Sequence, residues 1–210
     1  MHSVIQICNQ ALLLIGTRAI ASLDEPTPEA TYCKLFYDQA ALSVLADHAW
    51  GFAQRREKLT EVQPPEGWQS AYGKAYAYPL DCVQSHYLMT EDGREKTQAY
   101  ALAADNERTI LLTNISSAVL AYTAHIKDAT RFSPKFVEAL SRKLQCLLVK
   151  PILKGKAQAV KEAEELYARA LSDAKTADSK EGQPFNDPET PWLDSNPWAD
   201  ARMGLFRRPW

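Results

Sequence analysis

The side chains able to do chemistry are few and scattered. Cys8, Cys33, Cys82 and Cys146 are separated by 25, 49 and 64 residues, so the closely spaced thiolates of a zinc turn are not formed by neighbours in sequence. Cys8 and Cys146 fall within helical apolar patterns, where a thiol acts as a small core hydrophobe. His2, His48, His86 and His125 lack metal-ligand spacing, and neither an H-E-x-x-H helix nor a G-x-S-x-G elbow occurs. The eight glycines form no G-x-x-x-x-G-K or G-x-G-x-x-G loop, which excludes phosphate cradling by those routes. Asp81, Cys82 and His86 are the nearest approach to a nucleophile, base and acid in one stretch. At the entry of a strand, however, the aspartate more commonly caps a turn and the cysteine packs inward. Adjacent carboxylates such as Asp24-Glu25 and Glu164-Glu165 read as solvated helix surface, because acid–base work needs two carboxyls held across a cleft. The expectation is a non-enzyme that uses no metal and no cofactor.

The elements that would position these groups are clearly punctuated. Ser3 with Gln6 forms a capping-box pattern ahead of Val4, Cys8, Ala11, Leu12 and Ile15, and Gly16 stops that helix. Thr27-Pro28-Glu29 opens a second helix expected to run to about His48, with Tyr32, Leu35, Phe36, Leu42, Leu45 and Ala49 as its apolar stripe. From Trp50 the composition turns to short Tyr-, Val- and Thr-rich runs between turn clusters. Strands are predicted near Phe52–Val62, Gln84–Met89, Gln98–Leu102, Thr109–Thr113 and Ala118–Ile126, as one small, mostly antiparallel sheet. Helix returns at Ser133-Pro134, is kinked or ended by Pro151, and resumes from about Lys156 to Asp178 along an alanine-rich face.

The expected fold class is α+β. An antiparallel helical bundle of about four helices, residues 1–50 and 127–182, carries an inserted small antiparallel β lobe, residues 51–126. An extended C-terminal docking arm follows at 183–210.

Composition limits function further. The chain has 210 residues, 46% hydrophobic and 24% charged, with 24 Lys+Arg against 26 Asp+Glu. A net charge of −2 supplies no global pull toward nucleic acid or anionic lipid. The apolar run Ala11–Ile15 is far too short to span a bilayer, and Met1-His2-Ser3 lacks a basic leader region. Synthesis and retention in the cytoplasm, without membrane association, is the expectation. Locally, residues 127–156 carry eight basic side chains, among them Lys135, Arg142 and Lys143, against only Asp128 and Glu138. That segment is either a face for an acidic partner or a solvated face balanced by the acidic last helix with Glu162, Glu165 and Arg169.

The last 28 residues hold five of the twelve prolines and three of the five tryptophans. Disordered tails are poor in aromatics, yet Phe185, Trp192, Trp198, Phe206 and Trp210 stand here beside Arg202, Arg207 and Arg208. Trp and Arg dominate interface hot spots, so the segment reads as a docking arm, or alternatively as a strap over its own domain.

Several local patterns in order resemble the tail tubular protein A family, the head-to-tail adaptors of short-tailed bacteriophages. They are Asn9-Gln10-Ala11-Leu12 through Ile15-Gly16; His48-Ala49-Trp50-Gly51-Phe52 with the Ala53–Lys58 strand; and Tyr78-Pro79-Leu80-Asp81-Cys82. Tyr122 follows, then Asp128 through Phe136, and finally Leu166-Tyr167-Ala168-Arg169-Ala170-Leu171 leading to Ala174, Ala177 and Asp178. The resemblance covers roughly residues 4–182. The tail departs from it, being longer and richer in tryptophan than the Trp-Leu end of such proteins, with Trp192-Leu193 the matching element.

The resemblance implies a virion structural protein of the neck, made in the host cytoplasm. About a dozen copies would form a ring joining the portal to a tail nozzle partner of the tail tubular protein B type, around the channel through which DNA is ejected. DNA in that lumen need not be contacted specifically. On this reading Lys135, Arg142, Lys143, Glu162, Glu165 and Arg169 serve subunit contacts. Trp192, Leu193, Trp198, Arg202, Phe206, Arg207, Arg208 and Trp210 would engage the portal. The competing readings are a tail-completion or terminator protein, a regulatory module, or a hydrolase acting through Asp81 or His86.

Overall fold

The computed structural model describes residues 2–64, 67, 71–91, 96–97, 99–105, 108–154 and 156–181, of which 96 and 97 are described by backbone alone. Helix α1 spans Val4–Ile15 and begins as its capping box requires: Ser3 Oγ accepts from Gln6 N at 3.2 Å, and Gln6 Oε1 accepts from Ser3 N at 2.9 Å. It ends on Gly16 at φ 81°, a left-handed cap that glycine adopts without a Cβ clash. Helix α2, Pro28–Ala46, is capped by Thr27 with proline in its first turn. Helix α3, Pro134–Ile152, repeats that device with Ser133, and Pro151 lies in its last turn. Helix α4 spans Ala157–Glu181, three residues beyond its expected end.

α3 is the axis of the helical layer and packs against α1, α2 and α4. Small residues allow close approach: α4 buries Ala163, Ala170 and Ala174. α2 departs from the expected stripe for the same reason. It buries Ala30, Cys33, Tyr37, Ala40, Ala41, Val44 and the expected Leu45, with Tyr32 and Phe36 partly buried against the core, and turns only Leu35 and Leu42 of that stripe to the outside.

Among the described residues the β region holds eight strands in two four-stranded antiparallel sheets, where the sequence pattern suggested five strands in one. They are β1 Gln54–Lys58, β2 Glu61–Val62, β3 Lys74–Ala77, β4 Cys82–Met89, β5 Lys96–Thr97, β6 Ala101–Asp105, β7 Arg108–Thr113 and β8 Val119–Ala124. The first sheet has the order β1-β8-β4-β5 and the second β2-β3-β7-β6. The molecule is therefore α+β.

The expected Phe52–Val62 strand is divided because the chain changes sheets. Gly51–Ala53 is a one-turn 3₁₀ helix. Leu59 N then still donates to Ala118 O beside the first sheet, while Thr60 O already accepts from Ala77 N of the second, both at 2.9 Å. A strand that switches sheets at a corner is how two packed sheets share an edge.

Pleating then sorts the side chains. Tyr76 and Leu111 pair across β3 and β7 and join Leu88, Leu120 and Tyr122 of the first sheet in the main core. Their neighbours Ala75, Ile110 and Leu112 point the other way into a small second cluster. The main core runs without a break from Ile7, Leu12 and Leu45 in the helices through Trp50 to Leu120 in the sheet. No helix among the described residues is long and apolar enough to cross a membrane.

Candidate functional site

Two joints gather the polar and aromatic groups of the chain. The first lies where α2 hands over to β1. Trp50 is fully buried and its indole N–H donates to Val44 O at 2.7 Å, so the ring is held against the end of α2. Phe136 of α3 meets Trp50 edge-on at 5.0 Å between centroids and Phe52 at 4.9 Å, and Phe132 closes the cluster 4.8 Å from Phe136. Asp178, near the end of α4, takes a hydrogen bond from Gly51 N and lies 3.0 Å from His48 Nε2. Arg131 donates to Phe52 O at 3.1 Å. A groove of about 600 Å³ opens beside His48, Gly51, Phe52 and Asp178. Its acid and its imidazole are already bonded to each other.

The second joint is at the entry of β4. Tyr122 of β8 donates its hydroxyl toward Glu57 Oε2 at 2.8 Å and Asp81 Oδ1 at 3.0 Å. Arg55 Nη1 holds the other Asp81 oxygen at 2.6 Å. Burial, and then the two carboxylates, push the Tyr122 phenol well above its ordinary range. Asp81 O also accepts from His125 N, tying the chain before β4 to the chain leaving β8.

This geometry sends Asp81, Cys82 and His86 to three different partners. Cys82 donates its thiol to Tyr78 Oη at 3.0 Å, and burial together with that thiol raises Tyr78 to about 12. His86 Nε2 lies 2.8 Å from Thr123 Oγ1, and burial, then His48, lower its pKa. The β4–β8 register slips between Cys82 and Gln84 and again between Ser85 and Tyr87. Such bulges re-aim side chains, and here they direct neighbouring groups apart. Among the described residues no three His, Cys, Asp or Glu side chains are placed to hold a metal ion.

Cys8 and Cys33 are brought together in the core between α1 and α2, although their spacing gave no sign of it. The adjoining Cys33 thiol and burial hold the Cys8 thiol far above the usual range, while the hydrogen bond with Cys8 lowers Cys33; both are shut away from solvent in the core. Burial raises Cys146, half-buried on α3, to about 11.

The expected subunit-contact residues occupy the outer parts of α3 and α4. Lys135, Glu162, Glu165 and Arg169 are exposed, whereas Arg142 and Lys143 are half-buried. Lys135 pairs with Glu138 at 3.0 Å, Arg142 donates to Gln145 Oε1 at 3.1 Å, and Glu165 stands 4.0 Å from Lys161. Lys143 Nζ sits 4.9 Å over the Tyr167 ring, whose hydroxyl donates to Asp47 Oδ2 at 2.6 Å. Part of the basic surplus of residues 127–156 is thus engaged within the chain. The expected portal-contact residues, Trp192, Leu193, Trp198, Arg202, Phe206, Arg207, Arg208 and Trp210, lie outside the described residues.

The roles of Asp178 and Tyr122 as joint residues were not visible as chemistry in the sequence. The signal available was their presence in the ordered patterns around Tyr122 and Leu166–Asp178. No protein-family model and no curated protein sequence matches the chain.

Proposed function

We propose that this chain is a head-to-tail adaptor of the tail tubular protein A type, a virion neck protein that acts as a ring of about twelve copies. One observation carries the reading. Most of the segments through which the chain resembles that family are far apart in sequence, yet they meet at the two joints: His48–Phe52 with Phe132–Phe136 and Asp178, and Tyr78–Cys82 with Tyr122. Patterns that hold a common framework should converge in this way, and their polar groups satisfy one another.

On this proposal residues 1–50 and 127–182 form the helical bundle of the ring body, with Lys135, Arg142, Lys143, Glu162, Glu165 and Arg169 near subunit contacts. Residues 51–126 are the β lobe facing the tail nozzle, and 183–210 the arm that docks on the portal. The ring surrounds the DNA channel without reading sequence, and the protein is not an enzyme. It is made in the host cytoplasm and ends in the particle.

The test is native mass of the purified chain, alone and mixed with a portal ring from a short-tailed phage. Assembly of about twelve copies on the portal supports the adaptor, and about six would favour a tail terminator. A lasting monomer or dimer that ignores the portal would favour a regulatory module. Deleting 183–210 should leave the fold intact and abolish portal binding, and undiminished binding would sink the arm assignment.

A further inference from the structure

Two apolar surfaces of the helical layer lack a partner among the described residues, and they match. On α2, Leu35 and Leu42 are 65% and 37% exposed, with Asp38 between them. Seven residues separate the two leucines, so they form one outward ridge about 10 Å long, directed away from the Ala40, Ala41 and Val44 face that packs inward. Asp38 makes no ion pair among the described residues. Between α1 and α3 lies a groove of about 410 Å³ lined by Leu13, Leu14, Pro134, Val137, Glu138 and Arg142, with the Glu138 carboxylate already held by Lys135 at 3.0 Å. Leu13 is 63% exposed and Leu14 40%. From Pro134 to Ser141 the groove wall rises about 10 Å, the length of the ridge. Arg142 stands at its end, bonded to Gln145 and paired with no carboxylate among the described residues.

We propose that the α2 ridge of one copy seats in the α1–α3 groove of the next, Leu35 and Leu42 against Leu13, Leu14 and Val137, with Asp38 meeting Arg142. The occupant is a second copy because ridge and groove are complementary in length, apolarity and charge and are carried by the same chain in equal number. Since α2 is packed on α3 through its opposite face, the ridge cannot enter its own groove. The contact is heterologous, one patch on a different patch, and its repetition builds a ring if the rotation closes. It rests on the ring reading above for that closure, and names the surfaces that would make it.

The full chain is examined by sedimentation velocity from ~1 to ~100 µM, a range that detects micromolar contacts. The ridge variant Leu35→Glu/Leu42→Glu and the groove variant Leu13→Glu/Leu14→Glu change exposed side chains, and circular dichroism checks that both are folded. The native chain should associate, and each variant alone should stay monomeric. Their equal mixture should form 1:1 dimers and nothing larger, because one good ridge and one good groove remain. Asp38→Arg and Arg142→Glu should each weaken association about tenfold or more, and their mixture should regain most of it.

A native chain monomeric throughout, variants that associate like the native chain, or a mixture that stays monomeric overturns the proposal. So does a groove variant with native mass in which residues 183–210 become protease-sensitive, because the groove then holds the chain's own tail. Dimers in the mixture with no portal binding would uphold the contact and sink the adaptor reading. Portal binding without those dimers would do the reverse.

Discussion

Asp178 accepts the backbone N–H of Gly51 with its two carboxylate oxygens at 3.1 and 3.2 Å, across 127 residues of sequence. The same carboxylate lies 3.0 Å from His48 Nε2, and its side chain is only 9% exposed. A carboxylate near the C-terminal end of a helix meets the negative end of the helix dipole, so α4 alone would disfavour it. The bonds from His48 and Gly51 offset that cost and lock the end of α4 to the turn that starts β1. Asp178→Ala should therefore lower unfolding free energy by about 2–3 kcal/mol, and Asp178→Asn, which keeps an acceptor for Gly51, by about half as much. Urea titration measures both. An alanine variant within ~0.5 kcal/mol of the native chain would show that the joint contributes nothing.

Tyr122 offers one hydroxyl proton to two carboxylates, Glu57 and Asp81. Removing the hydroxyl leaves both oxygens without that donor at the edge of a buried ring, so Tyr122→Phe should cost about 1–3 kcal/mol at neutral pH. The phenol is raised above its unfolded value by burial and by the carboxylates. Below the unfolded pKa, near 10, its contribution is fully present. It is lost as pH rises through the folded value. The native chain should accordingly lose stability above about pH 10 more steeply than Tyr122→Phe does. Identical alkaline slopes in urea titrations would show that the hydroxyl is not held as described.

His86 titrates in the opposite sense. Burial, then the neighbouring His48, lower its folded pKa below the ordinary 6.5, so the unfolded chain binds its proton more readily. Stability from this group is present at neutral pH and falls as pH drops through the unfolded value toward the folded one. His86→Gln can keep a bond to Thr123 and should flatten stability between about pH 5 and 7. Thermal midpoints across that window check this, and an unchanged acid slope would locate the dependence elsewhere.

Legibility of the fold followed the range of the interactions involved. Helix starts at Ser3, Thr27 and Ser133 were plain because a cap and its donor lie within four residues, joined by a first-turn proline at the latter two and by a capping box at Ser3. β3 was missed because Lys74-Ala75-Tyr76-Ala77 is a short run without a β-branched residue. The change of sheet at Leu59–Thr60 leaves no local mark, since both sheets need the same extended backbone. Leu35 and Leu42 read as core because they are large and apolar, yet close packing of α2 on α3 selected its alanines instead. The candidate site depended on the longest-range information. Asp81, Cys82 and His86 are neighbours in sequence, yet Asp81 and Cys82 part at the entry of β4 and the two register shifts that follow re-aim His86 toward Thr123.

Arg142 and Lys143 are adjacent in sequence, but the structure predicts opposite results for them. Lys143 sits over the Tyr167 ring at 4.9 Å, and Tyr167 in turn bonds Asp47, so this ammonium links α3, α4 and the end of α2 within one chain. A carboxylate there would face the negative face of the ring and lie near Asp47. Lys143→Glu should therefore destabilise the monomer by about 1 kcal/mol or more. Arg142 bonds only Gln145 on its own helix among the described residues, which is worth little in the isolated chain. Arg142→Glu should leave the urea midpoint within about 0.5 kcal/mol of native while weakening self-association. Measuring the urea midpoint and the native mass on the same two variants separates folding from assembly. A large stability loss for Arg142→Glu, or native assembly with undiminished mass, would remove the guanidinium from the contact.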